Sequence, residues 1–481
     1  VQVFKLPSSR IKKEDDNPIN NSKKPTKNFK KMKKIVSSVF AVLCLIATTQ
    51  SFAQESDKDL KYRRSSLSMI LVESDNFPDK EAVMGSWNNY PFPDKYNKHG
   101  IDLKSVNINS MELSDQDLLE AGYLKDTLTN PLQILKAEGS LKTIRYINPE
   151  QTIAVVMPSE KEVFQMKINK VIKESKLANQ LVSTWFNRSK EGKFDMSMIQ
   201  ERGFYNASEL EASVAKGQTK GLAKLGDAGE ELIRNSFVTF TKLEFIANEP
   251  AAALVRDLAK EEIAKSLAGK PQLLLDKANQ AADKVYEKTK EGYSLWSKTW
   301  LYRLNWNDSI SAVFYNDLWS NPSAFDKTDL FSLEFVGTQY NQSLVTFKLG
   351  ETRTQEQIID LALVRNVDNA FAELQKDNDV FKPKVPVLTG NPITAQIGMK
   401  EGLVGGETFD VLEMTLNEKT GYTEYKKVGS VTADKKIIWD NRYNAGEKVE
   451  QLLDKDGNPI SATLFKGGKS IQPGMLLKQV K

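Results

Sequence analysis

Residues 32–53, MKKIVSSVFAVLCLIATTQSFA, decide how much of this chain is left to fold. Lys33 and Lys34 make a short positive start, an apolar run follows from Ile35 to Ala47, and Thr48-Thr49-Gln50 is polar. Ser51 and Ala53 then place small residues at the −3 and −1 positions of a cleavage site. That is the layout of a secretory signal peptide, and its apolar core is too short to span a bilayer. The expectation is export, with cleavage after Ala53 and a periplasmic or outer-membrane-associated product.

The Lys- and Asn-rich residues 1–31 admit three readings: an over-extended reading frame with Met32 as the start, a long basic leader, or a disordered nucleic-acid-binding arm. The first is preferred, because an exported protein would shed such an arm with its signal. Residues 1–53 carry eleven Lys or Arg and three acids, a net +8 in a chain of net +4, so residues 54–481 carry −4. A mildly acidic product does not attract nucleic acid or anionic lipid by bulk charge. No nucleic-acid partner is expected.

The only cysteine, Cys44, lies inside the apolar run, preceded by Ala41-Val42-Leu43 rather than by the small residue that a lipidation site wants. The product therefore has no disulfide, thiol nucleophile or Cys-ligated metal. The 428 residues after Ala53 exceed one core, at roughly 100–200 residues per domain. A composition 40% hydrophobic and 9% aromatic is that of a globular chain.

Patterning divides the chain into an N-terminal α+β region (54–159), a middle α+β domain (160–382) and a C-terminal β domain (385–481). Ser66–Val72 reads as a buried strand, Pro78–Trp87 as a short helix, and Ser114 as the cap of another. Thr152–Met157 is a strand, and Ser159 opens one long helix to about Asn187. Phe194–Arg202 reads as a short helix. Ser208–Asn235 reads as a helix rich in small residues, with Gly217, Gly221, Gly226 and Gly229. Phe237–Phe245 alternates as a strand, with Phe237, Thr239, Thr241, Leu243 and Phe245 on one face. Pro250–Thr289 is helical, broken near Gly269-Lys270-Pro271. Thr299–Asn307 and Ile310–Phe314 read as strands, Phe331–Gly337 and Ser343–Leu349 as a strand pair, and Gln355–Gln375 as a helix.

Pro383, Pro386, Gly390 and Pro392 mark a linker that joins neither sheet interior. Beyond it, Ile393–Ile397, Thr408–Met414, Tyr425–Thr432, Ile437–Asp440, Ala462–Phe465 and Met475–Val480 are short strands between turns. That spacing predicts a small closed antiparallel β-barrel. Its expected core is Ile397, Leu403, Phe409, Val411, Val428, Val431, Trp439, Leu464 and Leu477.

Ile397-Gly398-Met399-Lys400-Glu401-Gly402-Leu403, followed by Gly405-Gly406-Glu407-Thr408-Phe409-Asp410-Val411, is similar to a turn of small SH3-like barrels. The C-terminal domain of flagellar assembly protein T carries such a turn, and Val428–Val431 and Ile471–Met475 fit the same pattern. The resemblance spans roughly residues 385–480, rests on turn glycines, and implies a fold and no activity. Asp227–Val238 resembles the helix-into-strand unit of envelope domains related to curli secretion protein G and the N-terminal part of TolB. The whole chain resembles secreted Gram-negative envelope proteins of uncharacterised function. No flagellar role is carried over.

Catalytic constellations are hard to find. The single histidine, His99, reads as a turn residue in Asn97-Lys98-His99-Gly100. Gly468-Lys469-Ser470 lacks both the leading glycine of a phosphate loop, Thr463 standing there, and a following helix. Asp454–Asn458 has its glycine two residues early for a calcium loop and reads as a hairpin turn. Carboxylates such as Glu230 and Glu231 are not set apart as a glycosidase pair. Trp300, Tyr302, Leu304 and Trp306 share one strand face. That face is either core beneath the Ala-rich helices or, through Trp300, Tyr302 and Trp306, an aromatic platform for a sugar or peptide.

The sequence thus predicts a multidomain α+β protein, a helix-rich body followed by an SH3-like antiparallel barrel. It is expected to be a non-catalytic envelope protein that binds other envelope proteins and uses no cofactor or metal. Peripheral contact with the outer membrane stays open. The alternative is a carbohydrate-binding protein or a hydrolase that works with carboxylates.

Overall fold

Ser66–Val72 (β1) is buried along nearly its whole length, which a near-continuous apolar strand requires. In the computed structural model the described residues are 65–199, 230–345, 354–417, 423–442, 452–453, 457–468 and 470–480, all within one compact unit, Tyr62–Lys481. The leader with Cys44, residues 200–229 with Gly217, Gly221, Gly226 and Gly229, Asp454–Asp456 and Lys469 lie outside them. So do Arg202, at the end of the short helix expected from Phe194, and residues 346–353.

The fold is mixed α and β. Lys80–Asn88 (α1) is capped by the Asp79 side chain. The short strands Asn97–Lys98 (β2) and Ser105–Val106 (β3) both pair with β1 in parallel. Asp115–Glu120 (α2) opens on a capping box between Ser114 and Asp117. Thr127–Leu128 (β4), Thr143–Asn148 (β5) and Ile153–Met157 (β6) make a separate three-stranded antiparallel sheet, with Pro131–Gly139 (α3) between its first two strands. Glu160–Glu174 (α4) and Leu177–Trp185 (α5) are two helices, not the single one expected. Lys176 stands between them with φ 49°, a left-handed conformation that interrupts the helical hydrogen-bond ladder.

Ser236–Ala247 (β7) runs parallel to β1 and antiparallel to Tyr293–Leu304 (β8). Between them lie Glu249–Ser266 (α6) and Gln272–Thr289 (α7), broken where the sequence places Gly269-Lys270-Pro271. Ile310–Phe314 is not a strand. Asn307 accepts from the Ser309 and Ile310 amides and starts the helix Asp308–Val313 (α8), which continues as a π-helical turn, Phe314–Leu318. Pro322–Lys327 (α9) follows. The expected strand pair from Phe331 is instead one strand, Leu333–Val345 (β9), bonded to β8 along its length. Its polar middle, Thr338–Gln342, faces a partner strand and makes no turn. The sheet order is β2-β1-β7-β8-β9.

Alternation along these strands gives the sheet two cores. Ile70, Val238, Phe240, Trp300, Tyr302 and Leu304 point to the α4–α5 side. Leu67, Leu71, Phe237, Leu243, Leu295 and Leu301 point to Gln355–Asp377 (α10), which begins on a Thr354–Gln357 capping box.

Lys384–Gly390 (β10), Ile393–Ala395 (β11), Thr408–Leu416 (β12), Thr423–Ala433 (β13), Thr463–Gly467 (β14) and Leu476–Gln479 (β15) form a six-stranded antiparallel sheet. Its pairing order, β10-β11-β14-β13-β12-β15, returns to β10. The stretch read as a linker is therefore a strand. Pro386 removes a single donor, while Val387 donates to the Met475 carbonyl at 2.7 Å, and the register shifts next to it. Ile437–Asp440 makes only one bridge, from Trp439 to Gly398. Ile397, Leu403, Phe409, Val411, Val431 and Leu477 are buried as expected, but Val428 is exposed and Trp439 and Leu464 are only partly covered. Ile438 and Phe465, each one position along, take the core, because a one-residue change of phase turns a side chain to the other face.

Candidate binding surface

The three aromatics singled out in the sequence are covered. Trp300 and Tyr302 are each 1% exposed and Trp306 is 4% exposed. The helices above them are α4 and α5, not the Ala-rich pair α6 and α7. Phe164 of α4 stacks on Trp300 with ring centroids 4.7 Å apart. Trp306 lies among Phe186, Phe314 and Phe331. Tyr302 borders a groove of about 530 Å³ beside α4, but its hydroxyl donates to Asn169 Oδ1 at 2.9 Å. The groove's Lys173 and Lys176 are paired with Glu120 and Asp329. Trp300, Tyr302 and Trp306 are core, so they form no open platform.

An exposed aromatic strip does exist, nearer the start of the same strand. β8 begins at Tyr293, six residues before the strand start expected from the sequence, and so includes Trp296, which is 47% exposed. Trp296 pairs with Gln342, and Lys298 with Tyr340, which is 57% exposed. Trp296 and Tyr340 are thus diagonal neighbours on one face, close enough for large side chains to meet. Exposed Ile246 of β7 extends the strip on the same face. The Lys298 ammonium lies 4.9 Å from the Tyr340 ring. Starting the strand at Thr299 left Trp296 outside it and concealed the residue from sequence reasoning.

At that end of β7 and β8 stands the α6–α7 hairpin. It is closed by its own contacts: Tyr286 donates to Glu249 at 2.9 Å, Arg256 lies 4.4 Å over the Tyr286 ring, and Lys260 pairs with Asp283. Ala252 and Ala282 are its only buried residues, since small side chains let the two helices approach. Its longer apolar residues face outward. Leu254, Val255, Leu258, Leu273, Leu274 and Val285 are all exposed, from 48 to 64%. Leu254 and Leu258, four apart, make an exposed apolar stripe among the described residues.

The candidate chemical groups are structurally occupied. His99 is no exposed turn residue. It is 2% exposed, its Nε2 lies 3.0 Å from the Leu181 carbonyl, and its ring is 4.7 Å from that of Trp185. Glu230 and Glu231 have diverged. Glu231 receives the Tyr425 hydroxyl and the Lys384 ammonium from the C-terminal sheet. Glu230 sits among aromatics, and burial raises its pKa, although the Trp306 indole and Tyr315 hydroxyl that donate to it pull the other way. Sequence reasoning passed over this acid because its aromatic partners, Trp306 after β8 and Tyr315 of the π-helical turn, lie far along the chain. Asp308, whose charge also raises the Glu230 pKa, is paired with Arg234 and is not available as a second carboxylate. Among the described residues no group of His, Cys, Asp and Glu could hold a metal ion, and no helix is long and apolar enough to cross a membrane.

No family model matches this chain, and no curated protein matches it.

Proposed function

We propose that this is a non-catalytic, exported cell-envelope protein that works by binding another protein through the α6–α7 hairpin. The observation that carries the reading is the row of exposed Leu254, Val255 and Leu258 on a hairpin whose strongest contacts, among the described residues, are between its own two helices. Clustered exposed apolar side chains mark interaction sites in folded proteins. Leucine and valine lack the ring faces that stack on sugars, which favours a protein partner at the hairpin. Envelope location rests on the leader Met32–Ala53, with cleavage after Ala53. The closed six-stranded sheet is read as an SH3-like barrel on its Gly398–Gly406 turn, and peripheral contact with the outer membrane belongs to the same proposal.

The second reading, glycan binding, is favoured by one observation, the exposed pair Trp296 and Tyr340. The two readings separate by mutation. Cross-linking in envelope extracts is expected to capture one defined partner, lost in Leu254→Glu/Leu258→Glu and kept in the remote control Leu132→Glu. Glycan-array binding lost in Trp296→Ala, with capture unchanged by the leucine variants, supports the second reading. Hydrolytic activity abolished by one point change overturns both.

A further inference from the structure

We infer that the seam between the body and the C-terminal sheet holds a binding site for a phosphate group. Five cations line a cavity of about 200 Å³ there: Lys95, Arg303 and Lys382 from the body, and Lys384 and Lys478 from β10 and β15. Asp379 is the single carboxylate in the lining. Outside the lining, Asp94 and Glu401 face Lys95, Glu231 faces Lys384, and Glu334, across the strand pair, acts on Arg303. The rest of the chain after Ala53 is net negative, so this concentration of positive charge is local.

Lys382 makes the case. Its side chain is only 6% exposed, yet its nearest carboxylate oxygen, on Asp379, is 3.6 Å away. Asp379 is itself 72% exposed and gives its other oxygen to Lys478 at 2.7 Å. One open carboxylate is thus shared by two ammonium groups, one of them buried. Burying a charge without close pairing is costly, and an anion in the cavity would remove that cost. Arg303 points the same way. Its Nε donates to the Arg234 carbonyl and its Nη2 to Asn235 Oδ1, which fixes the guanidinium and leaves Nη1 to donate elsewhere. A fixed guanidinium beside several ammoniums recognises a multiply charged oxyanion. At roughly 30 Å³ per water the cavity suits a phosphate and its hydration, not a sugar or a nucleoside. Because the cations come from both sides of the seam, the bound anion also ties the C-terminal sheet to the body.

Inorganic phosphate is the probe. Titration calorimetry into the chain, at ionic strength held constant with chloride, is expected to give a saturable one-site isotherm. Lys382→Met is expected to weaken it about tenfold or more, through loss of a charge-assisted contact. Lys478→Gln, on the more exposed rim, weakens it too and decides the matter should Lys382→Met fail to fold. Phosphatidylglycerol vesicles that sediment the protein, and release it on adding phosphate, identify a lipid headgroup as the source. Phosphate binding without sedimentation identifies the free ion. No heat beyond the chloride control, or equal affinity in the parent chain and both variants, overturns the site.

Discussion

The Tyr90 hydroxyl donates to Asp368 Oδ1 over 2.5 Å, inside the seam where α10 meets the Met399–Glu401 turn of the C-terminal sheet. Tyr90 comes from the segment after α1, Asp368 from α10, and Lys400, 3.7 Å from Asp368, from that turn. Three distant parts of the chain thus share one buried carboxyl. Burial pushes the Asp368 carboxyl up to about 6, against the opposing pull of Lys400 and Tyr90, while Glu401 adds to the rise.

This predicts a pH-dependent stability. The folded pKa of Asp368 lies above its unfolded value, so the folded state holds the proton more tightly. The contribution is complete below about pH 4 and is lost as pH rises through about 6, an effect of roughly 2–3 kcal/mol at 1.4 kcal/mol per unit. Urea midpoints from pH 4 to 7 in the parent chain and in Asp368→Asn measure it. The variant should lack this component, and an unchanged profile would exclude Asp368 as its origin.

Two tryptophans on one face of β8 should respond differently. Trp300→Ala empties a buried site beneath Phe164 and should cost about 3–5 kcal/mol. Trp296→Ala removes a half-exposed ring and should cost less than about 1 kcal/mol. Chemical denaturation of both compares them directly, and equal losses would mean that Trp296 is covered in solution.

Gly398 should not tolerate a methyl group. A Cβ built there runs into the Trp439 carbonyl oxygen and comes within 2.6 Å of Asn441 Oδ1. Backbone cannot step aside as a flexible side chain can, so Gly398→Ala should destabilise by about 1–3 kcal/mol. A thermal midpoint equal to the parent's would show that the Gly398–Trp439 bridge is loose.

The C-terminal sheet is expected to fold when cut from the body, provided the cut spares β10. A fragment of residues 382–481 keeps the ring of pairings, and its roughly one hundred residues are enough for a core without disulfides. A fragment starting at Thr389 loses the Lys384–Lys478 to Pro386–Leu476 pairing and opens the ring. Amide spectra separate the two. Dispersed signals are expected from the first only, and a collapsed spectrum from 382–481 would show that the body is required.

Local chemistry was legible in the residues themselves. Ser114 begins a helix because its side chain satisfies an exposed amide, and Gly269-Lys270-Pro271 separates two helices because Gly269 takes φ 77° and proline has no amide to continue a helix. The two-residue alternation of β7 correctly put Phe237, Leu243 and Phe245 on one face. The same local rules hid other elements. Proline argued against β10, and a polar middle argued for a turn within β9, because in both the partner strand supplies the reason to pair.

What only the tertiary structure decided is which surfaces are covered and by what. Trp296 and Trp300 face the same side by parity, yet only Trp300 lies under Phe164. Glu230 and Glu231 are adjacent in sequence, yet one enters an aromatic cluster and the other reaches Tyr425. Lys382 is a near neighbour of Asp379 in the chain, but only β15 brings Lys478 to the same carboxylate. Periodicity fixes the direction of a side chain relative to its own backbone. Its burial, its charge environment and its partners depend on elements far along the chain, which no local pattern specifies.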